Sequence, residues 1–222
     1  MVQDVRSHHK CWAMLILVML LPGCQHDTDS ACPTVSPGMV AVDGYPMRPV
    51  IALYTERTDN TILTGAVDVV ALMWSDGTVL WSADSLHGGP PYFRGHIGSH
   101  GVSALLSRLE KGISPVFEQF EMTVRLDPHA RQVIGLCFSG KWICKRSDHV
   151  LAESRGDAVV TERGTVLLLE GEQADQWSAE FSEPYRAFRR DWAFVWTNVV
   201  QSLPDPDLAN PTTGISAHAV LE

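Results

Sequence analysis

Residues Val67–Ser82, VDVVALMWSDGTVLWS, decide the fold. Two apolar runs flank Asp76-Gly77, and Asp-Gly between β-formers is a strong hairpin signal, because a type I′ turn needs φ > 0 at both central residues. With those two as the turn, Trp74 faces Val79, Met73 faces Leu80 and Leu72 faces Trp81. Leu72, Trp74, Val79 and Trp81 then share one face, and Met73 and Leu80 make the other apolar too. A ribbon apolar on both sides needs cover on both, which places it inside a sheet.

Around this hairpin the 222 residues read as one α+β domain. The expectation is an antiparallel sheet of about five to seven strands built from hairpins and covered by two or three helices. The chain is 45% hydrophobic, too apolar for general disorder. Its net charge is −9 and it has no Lys/Arg-rich run, so the electrostatic footprint of a nucleic-acid partner is missing.

Upstream, Val50–Tyr54 reads as a first strand. Downstream, Val102, Leu105, Leu106, Leu109 and Ile113 step at helical spacing. Ser99 as N-cap and Gly112 as stop bound a helix over about 100–111. Pro115 separates it from Val116–Leu126, read as a strand. A second hairpin follows in VIGLCFSGKWICK. With Gly140-Lys141 as its loop, Cys137 faces Cys144, within disulfide reach in an oxidising compartment; two buried free thiols fit the same pattern. Asp148 can cap a short helix to about Arg155. AVVTERGTVLLLEG is then either a hairpin around Glu162-Arg163-Gly164 or a helix end followed by a strand. The firmest helix runs over 184–202, with Pro184 in its first turn and a stripe of Tyr185, Phe188, Trp192, Val195, Trp196, Val199 and Leu203. It roofs the Trp-rich sheet.

At the N-terminus, Arg6 and Lys10 precede an apolar run over 11–21 and then Pro22-Gly23-Cys24. Eleven residues make a helix only about 16 Å long, about half the hydrocarbon core, so the run reads as a secretory leader. Leu21-Pro22-Gly23-Cys24 resembles the lipobox of bacterial lipoproteins. The resemblance implies that Cys24 is diacylglyceryl-modified and begins the mature chain, and that the protein is held to a membrane through that lipid. Gln25, rather than Asp, implies an outer-membrane or cell-surface destination by the same resemblance. The expected organisation is a signal peptide over 1–23, a flexible tether over 24–49, a globular domain over 50–203 and a flexible tail over 204–222.

Chemistry-bearing residues gather in the loop after the central hairpin: Asp84, His87, Arg94, His96 and His100. His96 and His100 have the four-residue spacing of zinc ligands on a helix face, but Gly98 and Ser99 put them at a helix start and Ile97 stands where a catalytic Glu would follow. Exposed histidines are the simpler account, and no cofactor is called for. Pro90, Pro91 and Tyr92 offer a rigid binding edge, or a connector whose aromatic tucks into the core. No nucleophile elbow, Cys-x-x-Cys pair or phosphate-binding Gly motif occurs. The functional expectation is an anchored envelope lipoprotein acting as a non-enzymatic binding or structural module. The alternative is a hydrolase or metal-dependent enzyme using the 84–100 loop.

Overall fold

The computed structural model describes residues 40–42, 48–57, 67–120, 130–147, 158–160, 166–168, 181–205, 210–212 and 217–219. Its centre is a seven-stranded antiparallel sheet, β10-β5-β4-β3-β2-β6-β7, so the fold is α+β as expected. The strands are β2 (Ile51–Arg57), β3 (Val67–Met73), β4 (Thr78–Ser82), β5 (Tyr92–His96), β6 (Ala130–Phe138), β7 (Lys141–Ser147) and β10 (Asn210–Thr212). The helices are α1 (Ser99–Gly112), α2 (Pro115–Gln119) and α3 (Glu183–Gln201). Two short ribbons lie outside the seven-stranded ladder: β1 (Val40–Val42) with β11 (Ala217–Ala219), and β8 (Ala158–Val160) with β9 (Val166–Leu168). The β8–β9 pair decides the open choice at AVVTERGTVLLLEG in favour of the hairpin. Stretches read from sequence as tether and tail thus contribute β1, β10 and β11. Pro211 fits there because β10 is an edge strand, where a missing N–H breaks no ladder.

The central hairpin is interior, with β3 and β4 flanked by β2 and β5. Its turn differs from expectation. The Trp74 N–H bonds the Thr78 carbonyl at 2.9 Å, leaving Ser75-Asp76-Gly77 as a three-residue loop with Gly77 at φ 96°. Asp76 stabilises it by accepting from the Thr78 N–H at 2.8 Å and from its hydroxyl at 3.0 Å. Only Gly77 then needs positive φ, whereas a type I′ turn would force Asp76 there too. Pairing moves by one residue: Met73 faces Val79, Leu72 faces Leu80 and Ala71 faces Trp81. Trp74 and Trp81 therefore lie on opposite sides of the sheet, both buried, and not on one face.

Two apolar clusters follow. On the helix side Ile51, Leu53, Met73, Val79, Trp81, Ile134 and Leu136 pack with Val102, Leu105 and Leu109 of α1 and with Phe188, Trp192, Val195 and Val199 of α3. On the far side Ala52, Tyr54, Val69, Leu72, Trp74, Leu80 and Val133 pack with Val42 of β1. A β-bulge lets β3 serve both: Leu53 faces Ala71 and Tyr54 faces Val69, with Val70 the extra residue.

The second hairpin also shifts. Ser139 (φ 49°) and Gly140 (φ 81°) form the two-residue turn, so Cys137 faces Trp142 and Cys144 faces Gly135. The Trp142 ring lies so close over Gly135 that a Cβ there would fall 2.2 Å from Cζ2, which fixes this register. Cys137 and Cys144 are then diagonal neighbours, about 7–8 Å apart, beyond disulfide reach. The expected bridge between them does not form, and Cys144 is a free thiol.

The strand expected from Val116 is a helix over its first part. Pro115 is well suited to the first turn, and Phe117 and Phe120 stack on Phe188 with centroids 5.6 and 4.9 Å apart. Residues 121–126 lie outside the described residues, as does the helix expected from Asp148. α1 is capped by Gly98 rather than by the Ser99 side chain. In α3 the Ser182 hydroxyl caps the helix by accepting from the Tyr185 N–H at 3.3 Å.

Candidate functional site

The loop over 83–91, between β4 and β5, is tightly bonded. The Asp84 carboxylate accepts from the Leu86 and His87 N–H groups at 2.9 Å each, the turn for which a short acidic side chain is suited. The Ser82 hydroxyl donates to the Gly89 carbonyl at 2.5 Å and accepts from the Asp84 N–H at 3.0 Å. Gly89 donates to the Val69 carbonyl at 3.0 Å, continuing the sheet beside β3 where β4 has ended. Two longer ties fasten it to the body. The Gln132 amide donates to the Leu86 carbonyl at 2.8 Å, and the Trp196 indole N–H to the Ser85 carbonyl at 3.0 Å.

The sequence-derived residues do not converge on one centre. Asp84 and His87 are exposed, with His87 Nδ1 3.2 Å from the carboxylate. His96 and His100 are exposed at the far end of β5 and in the first turn of α1. The length of β5, about 14 Å, separates the two groups. Among the described residues no group of three or more His, Cys, Asp or Glu is placed to hold a metal ion. Arg94 is exposed on β5 between its partners Leu80 and Asn210. Pro90 and Pro91 are exposed, while Tyr92 is buried in the far-side cluster and the Phe93 ring packs tilted against Trp81, centroids 5.8 Å apart. Cys24 lies outside the described residues.

The Asp84 carboxyl is held below the usual carboxylate range, chiefly by the His87 backbone N–H. The stability this lends the loop is present above the ordinary carboxylate range and is lost as pH falls through the lowered value. Because the main donor is an amide, His87→Ala is expected to leave the Asp84 titration low, as followed by carboxyl-carbon NMR. An ordinary midpoint in the variant would assign the effect to the imidazole instead.

Two polar groupings were not visible in the sequence. On the far side, Arg146 grips Glu56 through Nε and Nη2 at 3.2 and 3.3 Å, beside buried Tyr54 and half-buried Cys144. Burial pushes the Tyr54 hydroxyl and the Cys144 thiol up, so the thiol stays protonated and a poor nucleophile at neutral pH.

The second grouping lies on the helix side. Asp68 of β3, Thr55 of β2, Gln132 of β6 and Ser147 of β7 are directly opposed in turn, forming one row across four strands at the end of the apolar face. Thr55, Gln132 and Ser147 are buried, and the 83–91 loop reaches this row through Leu86. Thr55 and Gln132 each border an apolar run in sequence and Ser147 follows Lys145-Arg146, and only the strand register unites them.

No protein-family model, curated protein or solved structure matches the chain.

Proposed function

We propose that this protein is a lipid-anchored binding module of a bacterial cell envelope, exported by its leader and held to an outer membrane or cell surface through acyl chains on Cys24. The observation that carries the reading is Leu21-Pro22-Gly23-Cys24 directly after a basic start and a short apolar run. An acidic body gains nothing from anionic headgroups, so attachment rests on the acyl chains. The fold suits a binding role: a sheet packed on both faces is a rigid frame, and the 83–91 loop is fastened to two further elements, β6 and α3.

The test is Cys24→Ala with metabolic labelling by radioactive palmitate and detergent phase partition. Wild type is expected to take up label and enter the detergent phase, and the variant to do neither. Continued membrane residence of an unlabelled variant would overturn acylation at Cys24.

A further inference from the structure

We propose that the row Thr55–Gln132–Ser147 is the floor of a binding site for a neutral saccharide, with the 83–91 loop as its cover. The three residues sit on adjacent strands of the same face, about 4.8 Å apart, and are 3%, 0% and 0% exposed. Thr55 Oγ1, Gln132 Oε1 and Ser147 Oγ have no hydrogen-bond partner. They are the only buried side-chain oxygens among the described residues in that condition, the remaining such atoms being nitrogens of Arg48, Trp81, Arg131, Trp142 and Trp192. More than nine in ten buried polar groups are bonded, so three orphaned neighbours in one row call for a common partner. The next row on these strands is apolar at Leu53 and Ile134, and apolar side chains would suit packing equally well at the polar positions.

The chemistry of the row selects the ligand. Two hydroxyls offer donors and acceptors, and the Gln132 oxygen accepts while its amide nitrogen is committed to Leu86. Charged residues flank the row on this face: Asp68 continues it on β3, and Arg57 of β2 and Lys145 of β7 each stand one row away, Lys145 donating to the Phe120 carbonyl at 3.0 Å. The three floor residues are themselves uncharged and single out neither an anion nor a cation. A neutral molecule carrying several hydroxyls is the complement. The row is shut from solvent, so a ligand enters when the loop lifts, and apparent affinity scales with the open fraction.

This inference deepens the binding-module reading and rests on it, yet its test is independent of acylation. Full-length protein in detergent is titrated calorimetrically with tri-N-acetylchitotriose and sedimented with purified cell-wall glycan. Wild type is expected to bind the trisaccharide. Co-sedimentation assigns the natural source to the wall polymer, and binding of the trisaccharide alone assigns it to free oligosaccharide. Thr55→Val and Ser147→Ala are each expected to weaken binding about tenfold while the melting temperature holds or rises, since each removes an unpartnered buried hydroxyl. Trp196→Phe, which releases Ser85, is expected to tighten binding severalfold; unchanged or weaker affinity would overturn the role of the loop as cover. No binding by wild type at millimolar trisaccharide, undiminished binding by the two hydroxyl variants, or a lowered melting temperature in Thr55→Val would overturn the site itself.

Discussion

Phe188→Ala is expected to lower the free energy of unfolding by about 3–5 kcal/mol, measured by urea denaturation. The ring is 1% exposed and joins three elements at once. It stacks on Phe117 and Phe120 at the α2 side, at 5.6 and 4.9 Å, and meets Trp192 one turn along α3 at 5.6 Å. It also belongs to the cluster that holds Ile51, Leu53 and Ile134 of the sheet. Truncation therefore removes apolar contact from helix and sheet together and leaves a void that aromatic neighbours on short elements fill poorly. Thr197→Ala, exposed on the same helix, is the control and is expected within about 0.5 kcal/mol of wild type. A loss under about 1 kcal/mol at Phe188 would mean that α3 does not roof this sheet.

What the sequence made legible was what short-range physics determines. A ribbon apolar on both faces has one sensible place, and β3–β4 is interior. The 3.6-residue stripe of α3 has one sensible use, and Tyr185, Phe188, Trp192, Val195 and Val199 are buried. Register was not legible, because Asp-Gly accepts either a two-residue or a three-residue loop and the choice rests on distant chain. Gly77 is pressed against Gly98, and its carbonyl accepts from the Ile97 N–H at 2.9 Å. Likewise Trp142 over Gly135 sets the second hairpin, and no local pattern announces that contact. A one-residue shift was enough to put Trp81 opposite Ala71 and to undo the pairing of Cys137 with Cys144. The polar row was hidden for the same reason, since Thr55, Gln132 and Ser147 lie far apart in the chain and meet only once the register is known. Val116–Gln119 failed differently: its apolar residues suit either period, and packing on Phe188 selects the helix.

The same loop contact makes Gly77→Ala the second large effect, about 3–5 kcal/mol of destabilisation. Two penalties combine there. At φ 96° an L side chain is strained, which costs about 1–3 kcal/mol by itself. The new Cβ would also stand 2.3 Å from the Gly98 carbonyl carbon, a backbone atom that no rotamer change can move aside. Relief requires the 75–77 loop and the start of α1 to part, breaking the Ile97–Gly77 hydrogen bond and loosening the end of β5. Gly98→Ala separates the two penalties, because Gly98 has φ 76° but its added Cβ would meet nothing within 4 Å. Strain alone then predicts about 1–3 kcal/mol for Gly98→Ala, with Gly77→Ala distinctly above it. Equal losses in the two variants would show that the loops are not pressed together, and the long-range contact that sets the hairpin register would go with them.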